Sequence, residues 1–278
     1  MKGLIVAAGY GTRFLPASKT VPKELFPLID KPAIAFLIDE FVASGIRDIV
    51  LITSRRKKSL EDYFDREIEL ETLFENEGAE GKLLKIKPYD INLTIIRQQE
   101  MNGTGHAILQ ARSVLQDSPF ITAYPDDLHF GKKPLSKQLI EVYEETGCAV
   151  LSTLHNPPEL LRYGVLALAD DGFHVTDIVE KPASLEEAPS REGSIGRFLY
   201  TPDIFEYLQE GWEKHTDGEY YHVYALKKLM EKNRVVHKQL EGLRLDIGTP
   251  EGYLRAILKY AALDPELRGI IREETSIL

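Results

Sequence analysis

The chain has one cysteine among its 278 residues, Cys148, so an intramolecular disulfide is excluded and a reducing compartment, the cytoplasm, is the expected location. The segment around it, GCAVLST, reads as an interior strand, which makes Cys148 a small buried hydrophobe rather than a nucleophile. Long apolar runs are missing as well. The apolar start Leu4–Ala8 is too short for a signal segment, and no stretch approaches the roughly 20 residues of a membrane span. Positive charge is outnumbered: 34 Lys and Arg stand against 44 Asp and Glu, a formal net charge of −10, which argues against broad nucleic-acid binding. An anionic substrate must then be met by a local cluster of cations. The run Arg55-Arg56-Lys57-Lys58 reads instead as a solvated loop or helix start. There is no internal repeat, no low-complexity tract and no His/Cys/carboxylate spacing for zinc. Nothing places His106 in a catalytic triad; it reads as a helix-face histidine packed under a loop.

Two phosphate-binding motifs are also absent. The dinucleotide fingerprint G-x-G-x-x-G needs a third glycine, but Gly9-Tyr10-Gly11 runs on into Thr12, Arg13 and Phe14. No G-x-x-x-x-G-K-[ST] string occurs. What is present is the run Ala7–Pro32, AAGYGTRFLPASKTVPKELFPLIDKP, placed after a short apolar strand. Ala7, Ala8 and Gly9 let a backbone approach something flat, and Gly11 permits a tight turn. Arg13, Lys19 and Lys23 then follow in one loop stiffened by Pro16 and Pro22. Backbone N–H groups with fixed positive charge at the end of a strand form a phosphate-binding arrangement.

Hydrophobic content of 43% and charged content of 28% suit a soluble globular fold. Strand and helix signals alternate over the first half, predicting a mostly parallel sheet covered on both faces. Lys2–Ala8 and Ile46–Thr53 read as strands, with a helix between them that carries Ile34, Leu37, Ile38, Phe41 and Val42 and stops at Gly45. The charged segment 57–87 reads as helical and broken by Gly78 and Gly81. A hairpin is predicted about Asp170-Asp171-Gly172, and a helix start at Thr249-Pro250. The expected fold is a Rossmann-like mixed, mostly parallel central sheet flanked by helices, with a small β-hairpin subregion. It spans 1–278 as one domain, with a nucleotide-binding half over 1–155; the half over 156–278 carries the sugar phosphate and the C-terminal helices.

Four constellations could carry chemistry. Asp126-Asp127 follows an apolar strand, at the carboxyl end of the sheet where open α/β folds bind ligands, and a carboxylate there can hold Mg²⁺. Asp246 ends another apolar segment, and two separated carboxylates can converge on one ion. Val179-Glu180-Lys181-Pro182 closes the hairpin, offering a point charge to a phosphate and an acceptor to sugar hydroxyls. Gln98 ends a strand and can meet a base edge, while Gly103 and Gly105 open a helix and permit a ligand to come close.

The strings G-x-G-T-R-x-L-P and P-K-E, then YGV, VEKP and SIGRFLY in that order, resemble the sugar-nucleotide pyrophosphorylases. Within that superfamily the likeness is to the bacterial UTP–glucose-1-phosphate uridylyltransferases, and the charged YFDREIELE segment (63–71) and RQQEMNGTGHAI carry it along nearly the whole chain. The resemblance implies transfer from UTP to glucose 1-phosphate, Mg²⁺ as cofactor, and a homo-oligomer, dimer or tetramer. It implies that Ala8, Gly9, Glu24, Gln98 and Gly103 surround the uracil, and that Gly11, Thr12, Arg13 and Lys23 hold the triphosphate. Asp126, with Asp246, takes the metal, and Gly164, Glu180 and Lys181 take the sugar phosphate. Arg13, Lys23 and Lys181 are the catalytic cations.

Two segments depart from the family pattern: Gly218–Val223 (GEYYHV), and Asp246–Tyr253 (DIGTPEGY), which looks more like thymidylyl- and guanylyltransferases. Both fall in the sugar-facing half, and the exposed pair Tyr220-Tyr221 suggests a dimer contact. A sister specificity and a non-catalytic nucleotide-sugar sensor therefore stay open as alternatives.

Overall fold

The computed structural model describes residues 1–276. Strand β1 (Lys2–Val6) carries Leu4 and Ile5, both fully buried, and lies in the middle of the main sheet. A small two-stranded ribbon of β2 (Pro27–Leu28) and β3 (Lys31–Pro32) leads into helix α1 (Ala33–Ala43). Ile34, Leu37, Ile38 and Phe41 of α1 recur at helical spacing and are wholly buried, which is why this segment is a helix and why it lies on the sheet. Strand β4 (Asp48–Thr53) follows, then three solvated helices, α2 (Lys58–Asp62), α3 (Ile68–Glu77) and α4 (Glu80–Ile86). Gly78 ends α3 in a left-handed conformation as expected, but Gly81 lies inside α4 and breaks nothing.

Strand β5 (Asn92–Arg97), helices α5 (Thr104–Gln110) and α6 (Arg112–Leu115) and strand β6 (Phe120–Ala123) come next. After them run β7 (Asp127–Phe130), α7 (Leu135–Thr146) and β8 (Ala149–His155), with Cys148 buried just ahead of β8. The predicted hairpin is β9 (Gly164–Leu168) and β10 (Val175–Glu180), its turn held by Asp171, which accepts from the backbone N–H groups of Phe173 and His174. The chain continues through β11 (Glu192–Tyr200), α8 (Ile204–Lys214), α9 (Val223–Met230), β12 (Val235–Gln239) and β13 (Leu243–Asp246). It closes with α10 (Pro250–Ala261) and α11 (Pro265–Thr275).

The main sheet has nine strands. β5, β4, β1 and β6 stand side by side and parallel, and β11 then joins β6 antiparallel. β8 pairs with the other edge of β11 and carries β12, while β9 meets the start of β11 and carries β10. Only β10 and β11 run against the rest, so the sheet is mixed and mostly parallel, as expected. One apolar layer, with α1 and α7, covers one face, and a second, with α5, α8 and α9, covers the other.

An ion pair is buried in the first layer. Glu40 of α1 accepts from Arg197 of β11 at 3.1 and 2.9 Å and from the backbone N–H of Ser136 in α7 at 2.9 Å. Arg197 is 1% exposed and also donates to the Asp127 carbonyl. These bonds fasten α1, α7 and β11 to one another.

The strand order fixes where a ligand can lie. The chain moves outward from β1 to β4 and β5, then returns to the opposite side of β1 as β6. The carboxyl ends of β1 and β6 therefore open onto the crevice at which an α/β sheet reverses its direction of winding.

Candidate active site

The loop after β1 forms one wall of that crevice. Ala7 donates to Ile52 on β4, which keeps the chain in register for one residue past the strand, and Ala8 is buried. Gly9 is open: where a side chain would begin, no atom lies within 4 Å. Gly11 adopts a left-handed φ of +67° and opens a 3₁₀ turn, Thr12–Phe14. Phe14 packs on Phe26 and on Tyr253 of α10, so the turn is anchored and Arg13 faces outward. The Arg13 guanidinium donates to the Gly248 carbonyl at 3.5 Å. A further 3₁₀ turn, Lys23–Leu25, aims Lys23 at Asp126, with Nζ 2.6 Å from Oδ2.

Asp126 and Asp246 meet although 120 residues separate them in sequence. The Ile247 N–H donates to the Asp126 carbonyl, and β13 pairs with β7 so that Asp246 stands opposite Asp127. A side chain on Gly248 would begin 3.1 Å from Asp246 Oδ1 and 3.2 Å from Asp126 Oδ2. The two carboxylates thus flank one small space that only glycine leaves open. Asp246 Oδ1 also accepts from the Gly248 N–H at 2.9 Å. Burial acts to raise the Asp126 pKa, but the Lys23 ammonium and then Arg13 outweigh it and hold the carboxyl below its ordinary value. Among the described residues no three His, Cys, Asp or Glu side chains are arranged as a complete metal site. Two carboxylates beside an open space suit a hard divalent cation that takes its other ligands from phosphate and water.

Asp127 plays a different part. Its carboxylate accepts from Arg244 at 2.8 and 3.0 Å and from the Gly196 N–H at 2.8 Å, tying β7 to β13 and β11. Arg244 also reaches Asp246 at 3.3 Å and the Tyr163 hydroxyl at 2.9 Å. Arg244 belongs to no motif of the sequence, although the alternation Leu243, Arg244, Leu245, Asp246 places it on the Asp246 face of the strand.

On the hairpin side, Gly164 and Glu180 are register partners. A Cβ on Gly164 would lie 2.6 Å from Glu180 Oε1, so glycine lets the carboxylate lie against the strand. Lys181 takes a left-handed φ of +47°, its N–H donates to the Tyr163 carbonyl, and its side chain is exposed. Gly164, Glu180 and Lys181 therefore stand together at one end of the hairpin.

Gln98 and Gly103, expected about the base, are also brought together. Gln98 is buried after β5, and its amide lies 3.3 Å from the Gly103 carbonyl and 3.0 Å from His106 Nδ1. Gly103 has a φ of +93°, and a Cβ there would come within 2.5 Å of the Tyr220 carbonyl; Gly105 is similarly crowded by Tyr220 and Tyr221. The close approach these glycines permit here is to the Gly218–Val223 segment. That segment is pinned by the Tyr220 N–H donating to Asn102 and the Gly105 N–H donating to Tyr220. Tyr220 is 3% exposed, with its hydroxyl on the Leu208 carbonyl, so of the pair expected at a dimer contact only Tyr221 faces solvent. This departure from the family pattern packs on the Gly103 loop. The other departure builds a helix start: Thr249 accepts from the Gly252 N–H, with Pro250 at the first turn.

Lys57 is another correction. Rather than standing in a solvated run, it is buried, donating to Glu24 at 2.7 Å and to the Ala7 carbonyl at 2.5 Å. Burial lowers its pKa and Glu24 only partly restores it. Glu24 is 1% exposed, so its carboxylate lies beneath the loop, bracing Lys57 and through it the end of β1.

His222 belongs to the same wall. Its ring packs on Phe198, Nδ1 lies 3.3 Å from Thr104 Oγ1, and burial pushes the imidazole from 6.5 down to about 4. The unfolded chain then binds the extra proton first, so this contribution to stability is complete above pH 6.5 and is lost as pH falls toward 4. The melting temperature is expected to drop across that window, and His222→Phe to flatten the drop in scanning calorimetry. An unchanged slope in the variant would place the acid sensitivity elsewhere.

The sequence profile of the nucleotidyl transferase family matches residues 2–262. A UTP–glucose-1-phosphate uridylyltransferase of Staphylococcus epidermidis is 38% identical over 272 residues, covering 96% of this chain and 94% of that protein. The Bacillus subtilis enzyme of that name is 39% identical over 273 residues, covering 96% and 93%. Among solved structures, a UTP-bound UGPase from Acinetobacter baumannii superposes with a TM-score of 0.89 at 32% identity, over 100% of this chain and 99% of that one. A UDP-glucose pyrophosphorylase complexed with UDP-glucose superposes with a TM-score of 0.82 at 34% identity, over 95% and 99%.

Proposed function

The chain belongs to the nucleotidyl transferase family, and from that premise we propose that it is a UTP–glucose-1-phosphate uridylyltransferase. The reaction joins UTP and glucose 1-phosphate to give UDP-glucose and pyrophosphate. The observation that carries this reading is the meeting of Arg13, Lys23, Asp126 and Asp246 around the space beside Gly248. That space lies at the crevice of the sheet, with the Lys181 hairpin end contributing a further cation.

In the proposed reaction an oxygen of the sugar phosphate attacks the α-phosphorus in line. The new P–O bond forms as the bond to the β-phosphate breaks, and the electron pair leaves with pyrophosphate. The attacker is already an anion, so no proton need be removed, and Asp126, held ionised by Lys23, is not required as a base. Mg²⁺, held by Asp126 and Asp246, would neutralise phosphate charge. Lys23 and Arg13 steady the departing pyrophosphate, Gly11 and Thr12 present backbone N–H groups, and Lys181 aligns the sugar phosphate beside Gly164 and Glu180. Ala8, Gly9, Gln98 and Gly103 border the base, with Glu24 supporting them from beneath. Catalysis is then positioning and charge neutralisation.

A homo-oligomer, dimer or tetramer, belongs to the same reading, supported by Leu254 and Leu258, exposed one turn apart on α10. So does the cytoplasm, supported by the lone buried Cys148; among the described residues no helix is long and apolar enough to cross a membrane.

The test is pyrophosphate release with Mg²⁺, crossing UTP, dTTP, GTP, CTP and ATP against glucose, galactose, mannose and N-acetylglucosamine 1-phosphates. Preference for UTP with glucose 1-phosphate is the expected outcome. Preference for another pair would move the chain to a sister specificity, and binding of nucleotide sugar without release from any pair would make it a sensor.

A further inference from the structure

Arg244 takes no part in the proposed transfer, yet four hydrogen bonds run from its guanidinium to three side chains beside the crevice. Nε and Nη2 donate to the two oxygens of Asp127 at 2.8 and 3.0 Å, Nη2 also reaches Asp246 Oδ2 at 3.3 Å, and Nη1 donates to the Tyr163 hydroxyl at 2.9 Å. The guanidinium also lies over the Tyr163 ring, 5.4 Å from its centre. Only 13% of the Arg244 side chain is exposed.

The contacts with the carboxylates answer a local problem. The register of β7 and β13 sets Asp246 opposite Asp127, and like charges facing each other across two strands repel. Nη2 donates to one oxygen of each and so relieves the repulsion. Asp127 is fixed from another side by the Gly196 N–H, and a side chain on Gly196 would begin 2.9 Å from its Oδ2. Asp246 is oriented although half exposed, with Oδ1 on the Gly248 N–H and Oδ2 on Arg244.

The contact with Tyr163 answers no such problem; it reaches the other half of the site. Tyr163 follows the 3₁₀ turn Leu160–Arg162, and its carbonyl accepts from the Lys181 N–H at 3.0 Å. Gly164, the next residue, lies against Glu180. The path Asp246, Arg244, Tyr163, Lys181 thus joins the two-carboxylate cluster to the end of the hairpin. Among the described residues no other hydrogen bond or ion pair connects Asp126 or Asp246 with that end.

We propose that Arg244 is a positioning residue for the transfer: through Tyr163 it sets the place of the Lys181 hairpin end relative to the two carboxylates, so that the attacking phosphate arrives in line. The inference deepens the uridylyltransferase reading and rests on it. In-line attack needs the reacting atoms aligned and roughly 3–3.5 Å apart, so a small shift of one half of the site against the other is costly. A planar guanidinium can grip Asp127 with two N–H groups and still aim a third at Tyr163, whereas an ammonium is a single point of charge.

The test uses Tyr163→Phe, which removes the hydroxyl but keeps the ring and the carbonyl that receives Lys181, and Arg244→Lys, which keeps the charge but loses the fork. Each is expected to lower kcat/KM for glucose 1-phosphate about tenfold, the loss for one charge-assisted hydrogen bond, with KM for UTP within about twofold of the parent. In a Lys181→Ala background Tyr163→Phe should cost nothing further, because the group it places is gone. Calorimetric titration of UDP-glucose with Mg²⁺, which needs no turnover, should repeat the pattern: weaker binding for Tyr163→Phe in the parent and no further weakening in the Lys181→Ala protein. Tyr163→Phe leaves the Asp127 contacts intact, so the comparison stands if Arg244→Lys fails to fold.

Unchanged kinetics and binding in Tyr163→Phe would overturn the proposal. An equal loss for UTP would assign the two residues to the fold alone, and a full further loss in the Lys181→Ala background would show that Tyr163 acts on another group; either result overturns it too. If another substrate pair is preferred, the uridylyltransferase reading fails and the same comparison with that pair decides the role of Arg244. If nucleotide sugar binds without turnover, the transfer itself is refuted and the positioning role falls with it, whatever the titrations give.

Discussion

Lys181→Ala is expected to lower kcat/KM for glucose 1-phosphate by roughly 10²–10³, the usual cost of removing one group that stabilises developing charge. The reasoning starts from the backbone. Lys181 stands at the end of β10 with a left-handed φ of +47°, tied by its N–H to the Tyr163 carbonyl. Alanine keeps that N–H and has the same Cβ, so the hairpin end retains its shape. The side chain is exposed, which makes its contribution to folding small and its melting temperature a clean control. Beside it, Glu180 lies against Gly164 and puts a negative charge where a sugar phosphate would arrive. Without the lysine, an approaching anion meets Glu180 with nothing to offset it. Steady-state turnover with UTP and glucose 1-phosphate decides the matter; near-normal rates would remove Lys181 from the catalytic set.

The second large effect is on stability. Arg197→Leu leaves the Glu40 carboxylate in an apolar layer with only Ser136 as a donor, and Glu40→Leu strands the guanidinium in the same way. Each single change is expected to cost about 3–5 kcal/mol of unfolding free energy, the penalty for an uncompensated buried charge. The double variant, which buries two apolar side chains in place of the pair, should recover most of that loss, because the intact pair stabilises little beyond the cost of desolvating it. Urea titrations of the four proteins close the cycle. Single variants each within 1 kcal/mol of the parent would show that water reaches the pair, against its burial here.

How legible the molecule was in its sequence depended on range. The Ala7–Pro32 run could be read because the strand end, the left-handed glycine and the cations lie in one contiguous string. The α1 stripe, the hairpin turn at Asp171 and the Thr249 cap are also local patterns, and the structure reproduces them. Lys57 could not be read. It sits among three other cations, and only the fold shows that its ammonium points inward to Glu24, 33 positions away. Arg244 escaped notice because a four-residue strand carries too little pattern, and its partner Asp127 is 117 positions distant. The Gly103 and Gly105 requirement was visible as a pair of glycines, but the backbone that crowds them comes from Tyr220, far along the chain. Gly81 is the reverse case: a residue that weakens helices suggests a break, while α4 simply tolerates it.

The contacts that close the crevice also set a timetable for biosynthesis. Lys23 waits for a partner 103 residues downstream, and Arg13 waits for one 235 residues downstream. As the chain emerges from the ribosome, the cationic loop is made well before the second carboxylate. Until Asp246–Gly248 has left the exit tunnel, the nascent protein holds a cationic loop with half of its counter-charge missing. The two-carboxylate cluster is therefore completed only after every strand of the main sheet has been made, and a translation product cut short before Asp246 would carry that sheet without it.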